Sequence, residues 1–262
     1  MSDQTESGLS RLAVETRVVI TAAGHARRWA NHMGVPKHLA PVPTPGGGKE
    51  TLLRRLTRQA RELGVSDVVI VSPVGDPRYE TEGARLHPRE IKKRWRQADR
   101  FMSTELWNKT GRTLYLPGDL YASNSAMRRM IAEPVRDWIW YMRLTRDMFF
   151  GEQRSRAMFG FGFWPEHHDF LFMTIKYLNA LEVNPESPVK RSLGADIYRA
   201  MAHETPSELS ITKGDRAFRD YPPHLVRISD ETTDIDTVAQ YEHLMRALSG
   251  ALGARPTSET LE

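Results

Sequence analysis

The chain has 262 residues, 40% of them apolar and 27% charged, and its 37 Lys+Arg against 33 Asp+Glu leave a net charge of +4. That is the make-up of a soluble globular protein with enough chain for one large core, and the modest basic excess suits small phosphorylated ligands better than a nucleic-acid duplex. With no cysteine, disulfides, thiolate zinc sites, iron–sulfur clusters and cysteine nucleophiles are excluded, and with no run of 18 apolar residues and a polar, acidic N-terminus the reading is a cytoplasmic protein without a membrane span.

Residues 1–14 read as a flexible polar lead and 250–262 as a flexible tail, which leaves one domain over 15–249. Val18-Val-Ile-Thr21 reads as a buried first strand running into Ala22-Ala-Gly24-His-Ala-Arg27-Arg28, a backbone loop on which cations converge, with Pro36-Lys37 close behind. Pro43-Thr-Pro-Gly-Gly-Gly48 is a turn. Leu52, Leu53, Leu56, Ala60 and Leu63 share one face of a helix over 51–63 that Gly64 ends, and Asp67-Val-Val-Ile-Val-Ser72 is the apolar run of a strand inside a parallel sheet. Strand, helix and strand at this spacing form a βαβ unit.

Further on, 88–96 and 98–107 read as helices, and Thr113 to Asp119 as a strand ending on a carboxylate. Residues 138–143 and 158–164 read as strands, 170–181 and 192–202 as helices, 225–228 as a late strand. The closing helix over 237–248 buries Val238, Tyr241, Leu244, Met245 and Leu248. The alternation implies an α/β fold, a mostly parallel central sheet flanked by helices, with ligands at the carboxyl ends of its strands.

The Ala22-Ala-Gly24 turn, Arg28, Pro36-Lys37, Gly118-Asp119 and Thr233-Asp234-Ile-Asp236-Thr237 stand in an order that resembles the sugar-phosphate nucleotidyltransferases, MobA-like enzymes included, over residues 18–248. The resemblance implies a nucleotide-diphospho-sugar transferase (GT-A-like) fold and a Mg²⁺-dependent transfer from an NTP to a phosphorylated small molecule, a sugar 1-phosphate foremost, with release of pyrophosphate. Ala22, Ala23, Gly24, His25, Ala26, Arg28 and Lys37 would bind the nucleotide, Arg28 and Lys37 would stabilise the transition state, and Asp119 and Asp236 would hold the metal. The chain departs from the family pattern at Ala26, where a second glycine is usual, and at His25.

The residue chemistry agrees. Displacement at an α-phosphate builds charge on non-bridging oxygens, which calls for fixed cations and backbone N–H groups, and Mg²⁺ takes hard oxygen ligands with only one or two protein carboxylates. Each residue also has a plainer reading: Arg27 and Arg28 as a solvated pair, Lys37 as surface, Asp119 as a turn cap, Asp236 as the N-cap of the last helix. Gly46-Gly-Gly-Lys49 lacks the first glycine and the Ser or Thr of a phosphate-binding P-loop. Glu166-His-His-Asp169 reads as an extended segment that would send its histidines to opposite faces. Trp138, Trp140, Tyr141, Phe149 and Phe150 read as core rather than as a base-stacking platform, and Arg143, Arg146, Arg154 and Arg156 nearby suggest a second-substrate pocket. Two rival readings stay open: a glycosyltransferase of related fold, for which Asp234-Ile-Asp236 is a formal Asp-x-Asp, and a non-catalytic nucleotide-binding protein.

Overall fold

The first strand, β1 (Thr16–Thr21), becomes an interior strand of the sheet because Val18, Val19 and Ile20 are all apolar and both of its faces are covered. This computed structural model describes residues 10–24, 27–44, 46–90, 101, 103–134, 136–143, 148–149, 152–153, 157–187, 194–202 and 224–253. After β1 come the hairpin strands β2 (Pro41–Pro43) and β3 (Lys49–Thr51), then helix α1 (Leu52–Glu62). The Thr51 hydroxyl accepts the Arg54 N–H at 3.2 Å to cap α1, and Gly64, at φ +93, supplies the left-handed residue that ends it. Strands β4 (Asp67–Pro73) and β5 (Arg85–Arg89) follow, then β6 (Arg112–Pro117), β7 (Leu120–Tyr121) and α2 (Asn124–Ala132). The remaining elements are β8 (Ile139–Arg143), β9 (Met148–Phe149), β10 (Glu152–Gln153), β11 (Ala157–Phe163), α3 (His168–Val183), α4 (Gly194–Met201), β12 (Leu225–Arg227), β13 (Thr233–Asp234) and α5 (Val238–Gly253).

The main sheet has the order β12-β8-β11-β6-β1-β4-β5. Its pairings are parallel except those of β11, which runs antiparallel to both β6 and β8. The expected mostly parallel sheet flanked by helices is therefore present. Period-two alternation divides its side chains between two cores. Val18, Ile20, Ile70 and Leu116 face α1 and α2 through Leu53, Leu56 and Met127, whereas Val19, Val69, Tyr115 and Phe161 face α3 and α4 through Leu171, Ile175 and Ile197. Full burial of a leucine such as Leu56 contributes about 2 kcal/mol. A third cluster joins Trp29, Val42, Leu52, Tyr121 and Ile235 to Tyr241, Leu244 and Leu248 of α5, the buried side expected of that helix.

Several sequence expectations need correction. Pro88 and Arg89 close β5 instead of opening a helix; β5 is the sheet edge, where a proline removes no ladder bond, and 91–100 lies outside the described residues. In the expected helix over 98–107, the described residues show 3-10 geometry at Phe101 and in the turn Thr104–Leu106, with no α-helix among them. The Glu166-to-Asp169 segment is helical, not extended: it passes from the turn Pro165–His167 into α3, with His167 Nε2 3.3 Å from Asp137 Oδ1 and the His168 ring 4.9 Å from that of Trp107. Trp138, Trp140 and Tyr141 are buried core, as expected, while Phe150, Arg146, Arg154 and Arg156 lie outside the described residues. At the ends, residues 10–14 are helical with Ala13 in the first core, and α5 continues through Gly253.

Candidate active site

Four segments far apart in sequence meet at the carboxyl ends of β1 and β6. Leaving β1, Ala22 and Ala23 are buried, and the Ala22 N–H donates to Val71 O at 2.8 Å, so it is committed to the fold. Gly24 is exposed, with nothing within 4 Å of where a Cβ would stand. Its side is thus open to a ligand, and no steric contact demands glycine there. His25 and Ala26 lie outside the described residues.

The chain then makes the turn Arg27–Trp29. Trp29 is fully buried, donates Nε1–H to Val35 O at 2.7 Å and meets the Tyr241 ring edge-on at 5.4 Å. This anchor leaves the neighbouring Arg28 side chain 67% exposed at the rim. Between the two cations, Ala30, Asn31 and Met33 all take left-handed conformations, at φ 49, 55 and 59, each costing about 1 kcal/mol for a non-glycine residue. Pro36 leads into the turn Lys37–Leu39, which buries His38 and aims Lys37 inward; the Lys37 side chain is only 12% exposed.

Asp119 is placed by the turn after β6. The Gly118 N–H donates to Thr21 O at 2.9 Å, and a Cβ at Gly118 would fall 3.0 Å from both Ala22 Cβ and Thr21 O, so a side chain here would crowd the β1 loop. Asp236 comes from the other side. β13 pairs antiparallel with β7, setting Thr233 against Tyr121 and Asp234 against Leu120, and the Ile235 N–H donates to Asp119 O at 2.9 Å. Ile235 turns into the third cluster, which sends Asp234 and Asp236 the other way.

Thr237, not Asp236, supplies the cap of α5. The Thr237 hydroxyl accepts the Gln240 N–H at 3.2 Å, while Gln240 Oε1 accepts the N–H groups of Asp236 at 2.8 Å and Thr237 at 2.9 Å, a capping box. The Asp236 carboxylate is therefore left for the site. The Lys37 ammonium donates to the Asp119 carboxylate and, at 3.2 Å, to Asp236 Oδ1, and Arg28 Nη2 lies 2.6 Å from Asp236 Oδ2. All four of the principal candidates thus stand together.

Burial acts to lower the Lys37 pKa, but the Asp119 and Asp236 carboxylates outweigh it and hold the ammonium above its ordinary value. Asp234 behaves oppositely: burial, then the neighbouring negative charges of Asp119 and Asp236, push it up to about 6. The arrangement offers two hard oxygen donors at the mouth, two cations beside them and an open backbone loop at Gly24. Among the described residues no three His, Asp or Glu side chains form a ready-made metal cage.

Lys49 of the Gly46-Gly-Gly-Lys49 run stands elsewhere. Lys49 starts the exposed end of β3, and the following Glu50 binds Arg58 at 2.7 Å and Arg55 at 3.4 Å. Arg143 is buried and donates to Thr232 O at 3.0 Å, a backbone role that the aromatic-arginine pattern of its strand did not reveal. Trp29 and Thr232 were also missed; a tryptophan after two arginines and a Thr-Thr pair carry no motif.

No protein-family model matches the chain, and no curated protein matches it by sequence. Solved structures do. UDP-glucose pyrophosphorylase, in its complex with UDP-glucose, superimposes with a TM-score of 0.55 at 11% identity, over 90% of this chain and 99% of its own. A Bacillus anthracis protein assigned as a glucose-1-phosphate thymidylyltransferase gives 0.51 at 13% identity over 92% and 96%. CTP:phosphocholine cytidylyltransferase from Streptococcus pneumoniae gives 0.50 at 15% identity over 90% and 100%. The chain has the nucleotide-diphospho-sugar transferase fold, the GT-A-like architecture that the sequence motifs implied. Among the described residues no helix is long and apolar enough to cross a membrane.

Proposed function

We propose that this chain is a cytoplasmic, Mg²⁺-dependent nucleotidyltransferase that joins an NTP to a phosphorylated small molecule, with a sugar 1-phosphate as the leading acceptor. The observation that carries the reading is the meeting of Arg28, Lys37, Asp119 and Asp236 at the carboxyl ends of β1 and β6. The structures of similar fold are named for the same class of reaction, one with a sugar phosphate and one with phosphocholine as acceptor.

The donor set fits the metal. Asp119 and Asp236 supply hard oxygens in the small number that Mg²⁺ takes from protein, leaving phosphate and water to complete its shell. When bound there, Mg²⁺ neutralises charge developing on the phosphates. Lys37 and Arg28 hold the triphosphate and oppose charge on the non-bridging oxygens of the α-phosphate, and backbone N–H groups about Ala23 and Gly24 line the phosphate side. An acceptor phosphate oxygen attacks the α-phosphorus, the bond from that phosphorus to the bridging oxygen breaks, and pyrophosphate leaves with the electron pair. The acceptor is already an anion, so no general base is assigned.

Asp234 and Asp236, both turned to the site side, also favour a second reading: glycosyl transfer from a nucleotide sugar, with the pair as an Asp-x-Asp. One assay separates them. The purified chain is incubated with Mg²⁺, each NTP, and sugar 1-phosphates or phosphocholine. Pyrophosphate release supports synthesis. Consumption of a nucleotide sugar without pyrophosphate supports glycosyl transfer, and nucleotide binding without turnover supports a sensor.

A further inference from the structure

Thr232 is fully buried, yet each of its hydrogen-bonding groups is engaged. Its N–H donates to Asp230 Oδ1 at 2.9 Å, its hydroxyl oxygen accepts the Ser123 N–H at 3.0 Å, and its carbonyl accepts Arg143 Nη1–H at 3.0 Å. Ser123 closes the unit: its hydroxyl donates to Asp230 Oδ2 at 2.6 Å and accepts the Ala126 N–H at 2.9 Å, capping α2. Arg143 is itself buried, with its guanidinium carbon 5.3 Å from the centre of the Phe159 ring.

This unit grips the ribbon that carries both carboxylates. β7 and β13 have two residues each, too few ladder bonds to fix their own register, and a slip of one residue would turn every side chain of β13 to the opposite face. The ribbon is closed beside the site by the Ile235 N–H on Asp119 O, and at its far end by Ser123 on Thr232. Asp119 lies four residues before Ser123 and Asp236 four after Thr232, so a pinned far end delivers both carboxylates together at the near end.

We infer that Thr232 and Arg143, with Ser123 and Asp230, are positioning residues for the Asp119–Asp236 pair. The inference rests on the nucleotidyltransferase reading for its reaction, and its test reads the carboxylate pair without turnover. Hydrogen-bonded partners behind metal-ligating groups typically matter by about 10- to 100-fold in metal affinity or activity. Mn²⁺ alone, titrated into the full chain and followed by electron paramagnetic resonance, is expected to bind Thr232→Val weaker by about that factor, with Thr232→Ser restoring wild-type affinity and the circular dichroism unchanged. Asp230→Ala, at a more accessible position, is expected to weaken Mn²⁺ in the same direction and serves if Thr232→Val fails to fold. In turnover, kcat is expected to fall with the KM for the NTP unmoved. Wild-type Mn²⁺ affinity in folded Thr232→Val or Asp230→Ala overturns the inference, as does a wild-type chain that binds no Mn²⁺. Intact Mn²⁺ binding with no pyrophosphate release from any NTP overturns the proposed reaction and leaves the positioning inference standing.

Discussion

Lys37 Nζ stands 3.2 Å from Asp236 Oδ1, across 199 residues of chain. The same ammonium meets Asp119, so one lysine neutralises both carboxylates. Replacement by methionine keeps the length and removes the charge. We expect Lys37→Met to lower the rate of pyrophosphate release by about 100-fold or more, on the scale of losing one preorganised transition-state donor. Lys49→Ala, on the exposed end of β3, is expected to leave the rate unchanged; the reverse ranking of the two lysines in a coupled pyrophosphate assay sinks the assignment.

Asp119→Asn retains shape and removes a negative charge from the pair. Pyrophosphate release is expected to be abolished, while the melting temperature stays near that of the wild type. An active Asp119→Asn enzyme removes this residue from the proposed metal site.

Gly118 leaves little room for a side chain, since a Cβ would press on Ala22 Cβ and Thr21 O at 3.0 Å. Gly118→Ala is expected to cost about 1–3 kcal/mol in urea unfolding, the usual range for overpacking, and to move Asp119 enough to depress kcat. Wild-type stability in this variant would contradict the close approach of the two loops.

The pH response follows from Asp234. Burial, then Asp119 and Asp236, raise its carboxyl to about 6 in the fold, against roughly 3.9 in an unfolded chain. Between those values the folded state holds the extra proton, so the contribution of Asp234 to stability is full below about pH 4 and is lost as pH rises through about 6. Urea midpoints measured from pH 4 to pH 7 should fall less steeply with rising pH in Asp234→Asn than in the wild type. Parallel profiles would show that Asp234 keeps an ordinary pKa.

The sheet was legible because its strands carry strong signals: Val18 to Ile20 and Val68 to Val71 are continuous apolar runs, and Leu52, Leu53, Leu56 and Ala60 repeat at helical spacing. The four charged candidates were legible because the Ala22-Ala-Gly24 turn, Pro36-Lys37, Gly118-Asp119 and Asp234-Ile-Asp236 stand in a family-like order. The support around them was not. β7 and β13 are two residues long and have no period to detect, and β5 hides a proline that only its edge position makes harmless. Whether Asp236 or Thr237 caps α5 depends on Gln240 folding back, which the competing Asp and Thr cap signals do not decide. Arg143 looked like a substrate-facing cation because an arginine ending an aromatic strand gives no sign of the carbonyl it will meet.

The third cluster ties the first loop to the last helix: Trp29 packs on Tyr241, and the Tyr241 hydroxyl donates to Pro41 O at 2.7 Å. A chain made from its N-terminus therefore exposes Lys37 to the cell long before its counter-charge at Asp236 has been translated. During that interval β1 and β4 can pair, yet Trp29, Val42 and Leu52 lack their cover from α5. Nascent chains stalled before β13 would show a folded sheet with a protease-sensitive cation loop, and protection of that loop would arrive abruptly, with the final helix.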